Sequence, residues 1–294
     1  MRSSALLAAV AASTVSGHGF ISMIHGDNGC TMPGYTVTDG TPRDCVVNAC
    51  GAQADTGIIR DNEIDSGERN PLGWTQGSGD VDLCTNINNY MGMGGAPPTN
   101  RGAASSVGVE DAIPNLTGLS GLALPKQRRG AYKRQISNPL SGLGGSFYNL
   151  PIIGVAGMGG QRNTYPRETM NADSRGKGAT CGLPTPDAKG VVHLVYRQVN
   201  QDGAGPLTCA IDYTSAGQDP KAFQAAQVLN NVPGSGVSGL SIATNTDFQV
   251  AVQSDPTKRC TGKRCGVEGL CVVRCRNEAI AGSFGGGAVY TNRA

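Results

Sequence analysis

The sequence predicts an all-β protein, a disulfide-rich antiparallel β-sandwich with long Gly-rich loops, and three observations carry that expectation. Segments 191–199, 207–213 and 247–253 alternate between two side-chain sets with the period of a half-buried strand, and turn-rich stretches separate them. Glycine makes up 44 of the 294 residues, which opposes long helices and favours turns and sheets. Ten cysteines, an even number, all follow an apolar leader, the pattern of a secreted chain held by up to five disulfides.

In chain order, residues 1–17 have the parts of a secretory signal. Arg2 is the positive region, 5–12 an apolar run, and Val15 and Gly17 the small residues flanking the cut. Ala11, Ala12 and Ser13 satisfy the same small-residue rule a few positions earlier. Cleavage after Gly17 makes His18 the first residue of a single domain over 18–290. Residues 18–24 read as a first strand, with Phe20 and Ser22 on one face and Ile21 and Met23 on the other; Gly26, Asp27, Asn28 and Gly29 end it. Turn residues dominate 30–69, so a loop layer pinned by Cys30, Cys45 and Cys50 is expected there. Asp61, Glu63, Asp65 and Glu68 suggest a calcium loop. Ser66, however, stands where the sharp turn needs Gly and Leu72 where a bidentate Glu belongs, so a solvated acidic loop is the better reading.

Residues 92–150 are rich in Gly, Pro, Ser and Ala and read as a loop-rich insertion. Within it, Asn115 opens the chain's glycosylation sequon, and Lys126, Arg128, Arg129, Lys133 and Arg134 form a basic cluster. A solvated loop is favoured there over a dibasic processing site or a polyanion contact. The second half holds the strands. Val192, Leu194 and Tyr196 oppose His193, Val195 and Arg197; Cys209, Ile211 and Tyr213 share a face; and Phe248, Val250 and Val252 oppose Gln249 and Ala251. Residues 223–229 fit a helix or a strand equally, and 270–274 form a short strand between cysteines.

Composition excludes several classes of function. The formal charge is +2 and falls by one when Arg2 leaves with the leader, so charge alone recruits no nucleic acid. After the leader no apolar run approaches the roughly 20 residues of a membrane span, so a freely soluble, extracellular monomer is expected. A metal role for the cysteines is weak because no pair has the two-residue spacing of a zinc knuckle, and their pairing is not deducible from sequence. No nucleophile elbow or phosphate loop occurs, and nothing singles out two carboxylates for glycoside hydrolysis.

Three histidines remain: His18, His25 and His193. An N-terminal His18 offers an amine and a ring nitrogen, and a second histidine would complete the three-nitrogen, planar set that suits Cu(II). Taken alone, His193 reads as a satisfied sandwich histidine in preference to a ligand, and His25 as a residue of a solvated turn.

Several stretches carry a family resemblance. They are 199–209, running from Val199 and Asn200 to Thr208 and Cys209; 271–277, with Cys271, Arg274, Cys275 and Asn277; and Ala281, Gly282, Ser283 and Phe284 beyond them. Thr41, Pro42, Arg43 and Asp44, and Thr246, Asp247 and Phe248, support it. Over about 18–60 and 180–287 the chain resembles the Egh-like fungal secreted virulence factors associated with appressoria and haustoria. That resemblance implies expression during host penetration and a similarity to lytic polysaccharide monooxygenases, copper enzymes on an immunoglobulin-like β-sandwich that act on chitin or cellulose. It implies copper as cofactor, with His18 as a metal ligand, Phe248 as the buried aromatic beneath the metal, and a structural polysaccharide such as chitin as partner; His193, four residues before Arg197 on the same strand face, is the candidate for the second metal ligand or is incidental. One departure stands out: Arg197 replaces the histidine that family members tend to carry before the Gln-Val-Asn segment, and a protonated Arg cannot ligate copper. The competing expectation is a non-catalytic secreted effector or cell-wall-binding module.

Overall fold

The computed structural model describes residues 18–45, 50–100, 160–163, 165–200, 203–234, 243–279 and 282–293, and all of them lie in one compact unit. The leader, Asn115, the basic cluster and most of the expected insertion at 92–150 lie outside the described residues. In chain order the strands are β1 (Gly19–His25), β2 (Thr31–Pro33), β3 (Gly57–Ile58), β4 (Trp74–Thr75), β5 (Gly79–Asp80), β6 (Gln161–Arg162), β7 (Val191–Gln198), β8 (Thr208–Asp212), β9 (Phe223–Ala226), β10 (Val228–Asn230), β11 (Thr246–Gln253), β12 (Gly262–Arg264), β13 (Val267–Arg276) and β14 (Phe284–Tyr290). Among the described residues four α-helices, α1 (Asp61–Asp65), α2 (Leu83–Met91), α3 (Met170–Ser174) and α4 (Gly178–Cys181), occupy the connections.

The strands form an antiparallel sandwich. One sheet runs β10-β11-β7-β1-β2, with β6 on β11; the other runs β5-β4-β3-β14-β13-β8-β9, with β12 on β13. Ile21, Ile24, Leu194, Tyr196, Phe248 and Val250 of the first sheet pack with Ile211, Leu270, Val272 and Tyr290 of the second in one continuous core. Alternation, corrected by a bulge in β1, puts these residues on the inner faces, and removing them from water supplies the main driving force for the sandwich.

β7, β8 and β11 follow the sequence pattern, and their apolar sets face the core as expected. The ambiguous stretch 223–229 resolves into two strands in different sheets, β9 paired with β8 and β10 with β11. β1 departs from simple alternation. Its register on β7 shifts between Ile21 and Met23, so Ser22 is an extra residue whose Oγ donates to the Val195 carbonyl. The bulge brings Ile21 and Ile24 to one face, where strict alternation would separate them. β14 is a strand that glycine content hides. A Cβ on Gly285 would fall 2.0 Å from the Cys275 carbonyl oxygen and one on Gly287 1.9 Å from that of Val273, so the close approach of β13 requires glycine there.

The expected disulfide number is reached. The pairs are Cys30–Cys181, Cys45–Cys50, Cys84–Cys265, Cys209–Cys275 and Cys260–Cys271, and no cysteine is free. Cys209 and Cys275 are register partners on β8 and β13, while Cys30–Cys181 and Cys84–Cys265 fasten α4 and α2 to the sheets. Of the acidic residues at 61–68, Glu63 is not simply solvated, because its carboxylate accepts from Arg60 and from the Trp74 indole. No helix among the described residues is long and apolar enough to cross a membrane.

Candidate functional site

The outer face of the first sheet carries two polar rows, one at each end of the β1–β7 pair. At one end Phe20, Arg197 and Asp247 stand opposite one another across β1, β7 and β11; at the other the row runs Thr31, His25, His193 and Ala251 across β2, β1, β7 and β11.

The loop layer covers the first row. The chain around Arg43 pairs with that around Glu168: Gly40 N–H donates to the Glu168 carbonyl, Glu168 N–H to that of Thr41, and Arg43 N–H to that of Pro166. This pairing delivers two charged side chains, Arg43 and Glu168, onto the row. Arg43 donates through both Nη atoms to Asp55 and through Nε to Glu168 at 2.9 Å. Arg197 donates to the same Glu168 oxygen at 3.2 Å and to both Asp247 oxygens at 2.8 and 2.9 Å. The Phe20 ring lies 4.7 Å from the Arg43 guanidinium carbon, and Tyr165 lies 5.0 Å from that of Arg197. Arg43, Asp55, Glu168 and Arg197 are all buried. Burial pushes the Glu168 carboxyl up, but Arg43 and Arg197 outweigh it and hold Glu168 below the ordinary carboxylate range. Burial likewise pulls Arg197 down, and Asp247 more than reverses that.

At the same end His18 is 0% exposed. Its backbone N–H donates to Asn200 Oδ1 at 2.8 Å, its carbonyl accepts from Val199, and its ring centroid lies 4.6 Å from that of Phe284.

The second row is open to water at His193 and half-buried at His25, whose Nε2 is buried. The His193 side chain is 46% exposed, with Nε2 3.3 Å from Asp187 Oδ2. His25 Nδ1 lies 3.2 Å from Thr31 Oγ1. Burial, and then the neighbouring His193, hold His25 below the ordinary imidazole value.

The predicted ligands are therefore not brought together. His18 precedes the first residue of β1 and His193 faces its last, so roughly 20 Å of strand separates them at about 3.3 Å per residue. Arg197, at the His18 end, is fully engaged as an ion-pair partner. Phe248 lies two strands from β1, opposite Tyr196 in the core, with Gly160 close against its ring. These placements do not fit a copper site built on His18, His193 and Phe248, and among the described residues no group of three or more His, Cys, Asp or Glu side chains is placed to hold a metal ion.

Sequence reasoning missed the buried ion network, although Arg43 and Asp247 stand inside the stretches that carry the family resemblance and Arg197 was conspicuous as a cation on a strand. The chain matches the Egh16-like virulence factor profile over residues 16–285. It belongs to the Egh16-like virulence factor family. It is 39% identical to the appressoria-specific virulence factor GAS2 of Pyricularia oryzae over 289 residues, 98% of this chain and 88% of that protein. It is also 36% identical to the appressoria-specific virulence factor GAS1 of the same organism over 104 residues, 35% of this chain and 40% of that one. No solved structure matches. The Egh16-like match takes in both rows and the first sheet that carries them.

Proposed function

We propose that this Egh16-like chain is a secreted virulence factor of the appressorium that acts by binding, as a non-catalytic effector, and not by copper-dependent oxidation of chitin. The observation that carries the reading is the separation of His18 from His193 along β1 and β7, with Arg197 committed to Asp247 and Glu168. Secretion is supported by the signal-like leader and the five disulfides, which persist in oxidising compartments.

The aromatic residues support an effector over a sugar-stacking module. Among the described residues Trp74 is buried with Arg69 over its ring, and the partly exposed Tyr165 and Phe223 are covered by Arg197 and Arg274. The test uses protein processed to begin at His18, supplied with Cu(II), a reductant and chitin. No oxidised oligosaccharide is expected, and His18→Ala is expected to complement a strain lacking the gene as well as the wild-type chain does. Oxidised products that disappear in His18→Ala overturn the reading.

A further inference from the structure

The histidines that do meet are His25 and His193. They are register partners on β1 and β7 with side chains on the outer face of the first sheet, so their Cβ atoms lie about 4.5–5.5 Å apart. Two imidazoles at that spacing can converge on one ion at metal–nitrogen distances of about 2.0–2.1 Å. Each ring also has an orienting partner. Asp187 Oδ2 sits 3.3 Å from His193 Nε2, which directs coordination to Nδ1, and Thr31 Oγ1 sits 3.2 Å from His25 Nδ1, which directs it to Nε2. Asp187 is itself held by the turn before β7, where it accepts from the Lys189 and Val191 N–H groups at 2.8 Å. A carboxylate fixed by backbone donors and placed behind a half-exposed histidine is the outer-shell arrangement common at zinc and copper sites.

From this geometry we infer that His25 and His193 form a two-imidazole site for a borderline divalent transition ion, Zn2+ being the ion to test, with Asp187 and Thr31 as positioning residues. Water or a partner group fills the remaining coordination positions. The site is independent of His18 and of the binding function proposed above.

Calorimetric titration of the processed full-length chain with Zn2+, in a His18→Ala background that removes the N-terminal chelate, tests it. One ion per chain is expected. His25→Gln and His193→Gln are each expected to weaken binding by at least about tenfold, and Asp187→Asn by about tenfold. Zn2+ should raise Tm in the parent and not in His193→Gln. If His25→Gln does not fold, imidazole NMR shifts of His193 on Zn2+ addition decide the matter. No Zn2+ uptake, or affinity within about twofold of the parent in His193→Gln, overturns the proposal.

Discussion

The two ends of the β1–β7 pair start from similar sequence material and reach opposite outcomes. Each places charged or titratable side chains on the outer face of one sheet, in register across neighbouring strands. At the Phe20 end the loop layer folds over the row, so Arg43 and Arg197 are 1% and 2% exposed and every charge has to find a partner. At the His25 end His193 remains in solvent with a single carboxylate beside it. Cover, more than residue type, decides whether a polar row becomes a structural lock or an accessible site.

The sharpest way to break this comparison is Arg43→Met. It leaves Asp55, 0% exposed, without its counter-charge and is expected to destabilise the fold by about 3–5 kcal/mol, read by denaturant unfolding. Adding Asp55→Asn to it should recover part of that loss, and the double-mutant cycle measures the coupling. A cost below about 1 kcal/mol for the single change would mean that the network does not lock the loop layer. Ser22→Ala removes the bulge hydroxyl from the Val195 carbonyl and should cost about 1 kcal/mol. The exposed row is the opposite extreme: His193→Gln without metal should change stability by no more than about 0.5 kcal/mol.

Acid sharpens the contrast. Glu168 titrates lower in the folded chain than in the unfolded one. Its contribution is therefore present above the unfolded carboxylate value, about pH 4.5, and lost as pH falls through the lower folded value. His25 is also held low, so the unfolded chain binds its proton first and stability should begin to fall below about pH 6.5. Equilibrium unfolding against pH should show both steps, and His25→Gln should remove only the upper one.

Much of the sandwich was legible because strand alternation is local. The faces of β7, β8 and β11 follow from residues two apart in sequence, and an even set of cysteines after a leader announced disulfides. Two features were illegible for physical reasons. In β14 the glycines that suggested turns are there because the neighbouring backbone leaves no room for a Cβ, a fact of packing. In β1 the Ser22 bulge reset the faces, and only pairing with β7 reveals it. The distance between His18 and His193 was illegible for a related reason: the strand patterns of 18–24 and 191–199 do not say how the two segments pair, and the antiparallel register of β1 on β7 sets the two histidines at opposite ends.

The sequence by itself therefore determined that the segments of β7, β8 and β11 become strands, which of their faces are apolar, and that the chain is a disulfide-held member of its family, since those properties reside in local pattern and composition. Tertiary structure alone decided that Arg43 would meet Glu168, 125 residues away, and that Arg197 would share that carboxylate while holding Asp247, 50 residues away. It alone decided that His25 would face His193. Register and loop cover are cooperative properties of the whole fold, and no stretch of the chain encodes them alone.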